Sequence, residues 1–159
     1  MNKSILAGTG LAVAIAAGSG AIASPGSTGD WYLRLRKPCY QPPSVAFPVV
    51  WTALYGDIAT SSAVAIDRFR GTGQRDKARR YIGALAINLV LNAGWSWLFF
   101  RFHRLGISAL GAAVLATSSG DLVRRTTDAD RQAGLAMLPY ALWCAFAAVL
   151  ATHVWRLNR

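Results

Sequence analysis

The 159-residue sequence contains no glutamate; its seven acidic residues are all aspartate, and charged residues make up only 15% of the chain. A soluble domain of ordinary composition carries about 25%. Cysteine and histidine are equally scarce, with two of each. Cys39 and Cys144 lie too far apart in sequence for a disulfide framework, and neither His103 nor His153 has partners at metal-ligand spacing, so no metal is expected. Also missing are a Ser/His/Asp set, a phosphate-cradling glycine loop and paired carboxylates. Acid–base and nucleophilic catalysis therefore have no signature, no catalytic residue is assigned, and no cofactor is expected.

Apolar residues fill the gap, at 53% of the chain, against a net charge of +10. Such a charge fits nucleic acid only when it forms a continuous basic face on a folded domain. Here the basic residues fall in short connectors: Arg34 to Lys37, Arg68 to Arg80, Arg101 and Arg104, Arg124 to Arg131, and Arg156 with Arg159. Lys and Arg at such positions anchor helices at lipid headgroups. The expected partner is a lipid membrane and not nucleic acid.

A helix crosses the roughly 30 Å hydrocarbon core in about 20 residues. The pattern predicts five such helices, over 4–23, 44–66, 81–100, 105–123 and 133–155, in a single membrane domain occupying 1–159. The fold class is all-α, a polytopic membrane protein built as a five-transmembrane-helix bundle. The first run has a competing reading as a secretory signal, since Lys3 precedes it and Ala21-Ile22-Ala23 resembles a cleavage site. It is, however, long enough to span, and Gly8, Ala12, Ala16 and Gly20 recur every four residues as a stripe that lets membrane helices approach closely. Ser108, Ala112, Ala116 and Gly120 repeat the device in the fourth span, for packing within the bundle or in a homodimer. With five spans, ten basic residues fall on the side of the N-terminus and seven on the other, a small excess that favours a cytoplasmic N-terminus.

The connection over 24–43 is the long one. Pro38, Pro42 and Pro43 disfavour a regular helix there, and Trp31, Tyr32 and Tyr40 are typical headgroup-level anchors. It reads as an interfacial anchor, a lid over one end of the bundle, or both. Three spans carry aromatic or polar residues at helical spacing: Trp51 and Tyr55; Asn88, Asn92 and Trp95; and Pro139, Trp143, Phe146, Ala147 and Leu150. Amides in a membrane need partners, so Asn88 and Asn92 should face the interior, either tying helices together or orienting a guest. Converging Trp, Tyr and Asn suit a pocket for a flat, largely apolar ligand. Asp57 interrupts the second span and should be paired, protonated or wet, with a tyrosine or His153 as candidate partner.

Taken in order, Trp31-Tyr32-x4-Lys37-Pro38-x3-Pro42-Pro43, Phe47 and Val50-Trp51-x2-Leu54-Tyr55 resemble the signature of the TspO/MBR family. These are the tryptophan-rich sensory proteins, whose mitochondrial relative is the translocator protein or peripheral benzodiazepine receptor. Leu91-Asn92-x2-Trp95-Ser96-x2-Phe99-Phe100 and Pro139-Tyr140-x2-Trp143-x2-Phe146-Ala147 extend the resemblance, which runs from about Trp31 to Asn158.

The resemblance implies a retained first helix and a cavity closed by the first loop. Ligand-binding residues would be Trp51, Tyr55, Asn88, Asn92, Trp95, Pro139, Trp143, Phe146 and Ala147, under a lid carrying Trp31, Lys37, Pro38, Pro42 and Pro43. It implies a receptor or carrier for porphyrins and related tetrapyrroles, linked to stress or pigment regulation, in a bacterial inner membrane. The alternatives are a light-dependent porphyrin-degrading enzyme using Trp51 and Trp143, and a dimeric interaction scaffold. Some positions depart from the family: Thr152 stands where animal members carry a sterol-motif tyrosine, Ile107 where they carry a tryptophan, and Asp57 where an uncharged residue is expected. Sterol recognition is therefore not assigned.

Overall fold

The apolar runs fold as helices longer than themselves. The computed structural model describes residues 2–24 and 30–159. Its elements are α1 (Lys3–Ala23), the short α2 (Asp30–Arg34), α3 (Ala46–Gly71), α4 (Arg75–Ser96) running on through a π-helical turn at Trp97–Arg101, α5 (Leu105–Ala129) and α6 (Arg131–Leu157), with no strand among the described residues. Five of them (α1, α3, α4 with its π turn, α5 and α6) are long and apolar enough to cross a membrane.

Helix bounds depart from the apolar runs where polar residues are good helix formers. The third long helix starts at Arg75, ahead of the apolar run at Tyr81, because its basic first turns satisfy the backbone as well as apolar ones do. In α5 the helix passes Val123 and continues to Ala129. There Asp121 meets Arg124 at 2.7 Å and Arg125 at 2.6 Å, one turn away on the same face. Asp130 then ends α5 and begins α6, its carboxylate accepting from the Ala133 N–H at 3.0 Å as an N-cap. Between α1 and α3, α2 stops before Pro38, and the Ala46 N–H donates to the Pro43 carbonyl at 2.9 Å as α3 begins. Residues 25–29 of the expected 24–43 lid lie outside the described residues.

The closest pairing is the α5–α6 hairpin, while α1 lies against α3 and α4. Small residues permit the approach, though only part of each stripe faces inward. Ala16 and Gly20 of α1 are buried but Gly8 is exposed; Ser108 and Ala112 of α5 are buried but Gly120 is exposed. Polar ties reinforce α1: Thr9 donates to the Ala59 carbonyl at 2.9 Å, and the Trp97 indole donates to Ser19 at 3.1 Å. Ile58, Leu122, Met137 and Tyr140 sit at the centre with no exposed surface. Leu11, Val90 and Leu142 stay about two-thirds exposed, at 64%, 72% and 68%, as expected of side chains that meet lipid.

Candidate ligand-binding site

Two sets of sequence-predicted residues meet where α3, α4 and α6 face one another. From α3, Trp51 stacks on Tyr55 with ring centroids 5.4 Å apart, and its other neighbour is the ring of Tyr140 at 6.4 Å. Tyr55 donates its hydroxyl to Asn92 Oδ1 at 2.9 Å. Asn92 Nδ2 reaches the Tyr140 hydroxyl at 3.5 Å, and Tyr140 donates to Asn88 Oδ1 at 2.6 Å. Asn88 Nδ2 closes the chain on Ser118 and Ser119 of α5, at 3.1 and 3.2 Å. One continuous relay therefore links four helices, and each asparagine both accepts and donates between helices. In an apolar interior this is the arrangement that makes such groups tolerable.

Aromatic residues cap this relay on the side of the long loop. Trp143 packs on Phe146 at 5.5 Å and on Phe47 at 5.8 Å, and Phe146 also meets Tyr40 at 6.2 Å. Trp95 belongs to a neighbouring cluster: it stacks on Phe99 at 5.5 Å and packs beside Ala109, Ala112 and Ala151. Phe146 borders that cluster as well. Ala147 is half-buried, whereas Pro139 is exposed and takes no part in the relay. The indole nitrogens of Trp95 and Trp143 are both shielded and have no hydrogen-bond partner.

The loop ahead of α3 is fastened over this end. Trp31 stacks on His103 with centroids 3.9 Å apart and meets Phe99 edge-on at 5.9 Å. Tyr32 packs on Phe99 and Phe100, with Lys37 Nζ 4.0 Å above its ring. Burial raises the Tyr32 phenol above its ordinary value, and its oxygen accepts a bond from Gln41 Nε2 at 3.1 Å. The backbone of Arg36 pairs twice with the Asn158 side chain, its N–H donating at 2.9 Å and its carbonyl accepting at 2.8 Å. Tyr40 is hydrogen-bonded to Nδ1 of His153. Pro38 and Pro43 work through their carbonyls, which accept from Gln41 and Ala46. Pro42 lies half-buried between them.

Asp57 departs from its expected partners. His153 is engaged by Tyr40, and Asp57 instead accepts from Ser61 of its own helix at 2.8 Å, leaving Oδ2 shielded without a partner. Among the described residues no group of three His, Cys or acidic side chains could hold a metal.

Sequence reasoning did not single out Tyr140 as a site residue, although it is the hub of the relay. Its place beside Pro139 in a tryptophan-bearing block was the available signal, but only the helix register shows that its hydroxyl reaches both asparagines. Phe99 and Phe100 were missed for a related reason. The π turn, in which the Phe102 N–H reaches back to the Trp97 carbonyl at 2.9 Å, adds a residue to the helical repeat and brings both rings under the loop.

The sequence matches the TspO/MBR family model over residues 8–156. It is 33% identical over 159 residues to Protein CrtK of Rhodobacter capsulatus, covering 99% of this chain and 95% of that one. It is 28% identical over 144 residues to the tryptophan-rich sensory protein of Cereibacter sphaeroides, with 87% of each chain covered. The translocator protein of Ovis aries is 31% identical over 133 residues, covering 81% of this chain and 75% of the relative.

Proposed function

From the premise that the chain belongs to the TspO/MBR family and is a multi-pass membrane protein, we propose that it is a receptor or carrier for porphyrins or related tetrapyrroles. The ligand lies against the aromatic surface of Trp51, Tyr55, Trp95, Trp143, Phe146 and Ala147. The observation that carries the reading is the pair of buried, unpartnered indole N–H groups of Trp95 and Trp143. A shielded donor costs about 1–3 kcal/mol when unsatisfied. A guest that is flat and apolar with a few acceptors would satisfy both, while the relay of Tyr55, Asn92, Tyr140 and Asn88 stiffens the wall behind it. The loop carrying Trp31, Lys37, Pro38, Pro42 and Pro43 serves as lid, and occupancy is read out in stress or pigment regulation.

A second reading, light-dependent degradation of the porphyrin, draws support from Trp51 stacked on Tyr55 and touching Tyr140, a contiguous set of oxidisable rings. A third, a dimeric scaffold, draws on the open surface at Gly8 and Gly120, where a Cβ would meet nothing within 4 Å. Titration of protoporphyrin IX in darkness and in light, followed by tryptophan quenching and porphyrin absorbance, separates the three. Saturable quenching with an unchanged porphyrin spectrum is expected. A light-dependent product that vanishes in Trp51→Phe/Trp143→Phe would establish the enzyme instead, and no saturable binding in either condition would leave only the scaffold.

A further inference from the structure

At the end of the bundle away from the loop, α3, the α3–α4 turn and the α5–α6 turn enclose a cleft of about 350 Å³. Its polar lining is Arg68, Thr72, Gln74, Asp128, Asp130 and Arg131. The apolar parts of α3 and α6 end here, so the cleft opens at the level of lipid headgroups.

The charges inside it are unequally engaged. Asp130 is committed twice, to the Ala133 N–H at 3.0 Å and to Arg68 Nε at 3.3 Å. That ion pair uses one edge of the Arg68 guanidinium, and Arg131 makes no ion pair among the described residues. Asp128 holds Arg124 only at 3.4 Å, with both side chains more than half exposed. Two guanidinium groups with free N–H edges thus face one loosely held carboxylate across a single cleft. Guanidinium forks suit phosphate oxygens, and a carboxylate suits a primary ammonium. Beside it runs a groove of about 620 Å³ that shares Arg68 and Thr72 and follows α3 past Gly71 and Asp67 to Val64. With no side chain at Gly71, where a Cβ would meet nothing within 4 Å, a chain leaving the charged cleft has room to cross the helix and reach Val64, the one apolar side chain of the groove.

We propose that this cleft is a specific site for a zwitterionic aminophospholipid. Arg68 and Arg131 hold the phosphodiester, Asp128 holds the primary ammonium, and one chain follows the groove along Val64. The lining carries two bases and two acids. A headgroup with both charges complements it better than an anionic one, and a trimethylated ammonium has no N–H to offer Asp128. The site is separate from the aromatic surface and does not depend on the tetrapyrrole reading.

The test is native mass spectrometry of the full chain released from detergent with equal amounts of phosphatidylethanolamine, phosphatidylcholine and phosphatidylglycerol. Wild type is compared with Arg131→Gln and Asp128→Asn, and far-UV circular dichroism verifies that each variant folds. Phosphatidylethanolamine is expected to be retained several-fold over the other two. Arg131→Gln should abolish that retention, and Asp128→Asn should equalise the ethanolamine and choline lipids. Equal retention of all three lipids, preference for the glycerol lipid, or unchanged retention by folded Arg131→Gln would overturn the proposal. A parallel melting series with inorganic phosphate distinguishes a free anion from a lipid. Stabilisation by phosphate equal to that by phosphatidylethanolamine would overturn the lipid assignment, and stabilisation by the lipid alone supports it.

Discussion

Tyr140 and Asn88, on α6 and α4, share a hydrogen bond of 2.6 Å at a depth where neither side chain has any exposed surface. The tyrosine hydroxyl donates a hydrogen bond to Asn88 Oδ1 and accepts the longer one from Asn92 Nδ2, so one oxygen serves two buried amides. Removing it should cost more than the bond itself.

For Tyr140→Phe we expect a destabilisation of about 1–3 kcal/mol, the penalty of a buried polar group left unpaired. Thermal unfolding of the purified protein in detergent measures it. An unchanged midpoint would mean that Asn88 and Asn92 find other partners and that the relay is not a unit.

Gly134 of α6 lies against α5 so closely that an added Cβ would overlap Thr127 Oγ1 and stand 2.6 Å from Thr127 Cα. Backbone cannot yield as a side-chain tip does, so Gly134→Ala should force the hairpin apart and cost at least about 1–3 kcal/mol, the range for overpacking. Gly120→Ala, where a Cβ meets nothing within 4 Å, is the control and should leave the melting temperature unchanged or slightly raised.

The two bonds between the Arg36 backbone and Asn158 fasten the loop to the end of α6. Asn158→Ala should raise amide exchange over residues 30–45 while leaving α3 and α6 protected. At about 0.5–1.5 kcal/mol per hydrogen bond, the increase should be several-fold or more. Exchange rising equally across the long helices would instead show that the clasp supports the whole bundle.

Asp130 caps α6, and the Ala133 N–H, followed by Arg68, holds its carboxyl below the usual carboxylate range. A depressed folded value means that the stabilisation is fully present above the unfolded value of about 3.9. It is lost as pH falls through the folded value. Melting curves of wild type and Asp130→Ala should therefore differ at neutral pH and draw together as pH falls through the folded value, below the ordinary carboxylate range. A separation that stays constant as the carboxyl is protonated would show that the charge of Asp130 contributes nothing.

Five spans, the short charged connectors and the family were all legible in the sequence, because burial in lipid demands long uncharged runs whatever the neighbours are. The stripe of Asn88 and Asn92 announced an inward face for the same reason. Element ends were less legible: α4 begins among the charges at Arg75 because a helix is continued by backbone hydrogen bonds, not by apolar side chains. Asp57 shows the same limit at one residue, since its bond to Ser61, one turn along, competes with every distant partner the sequence allows. What only the tertiary structure decided is which residues meet. The hub at Tyr140, the placing of Trp95 in a different aromatic cluster from Trp51, and the charged cleft between two turns all depend on how far each helix is slid and rotated against the next. Periodicity fixes the face a residue occupies on its own helix, but the depth and rotation of neighbouring helices come from the packing of all their side chains together.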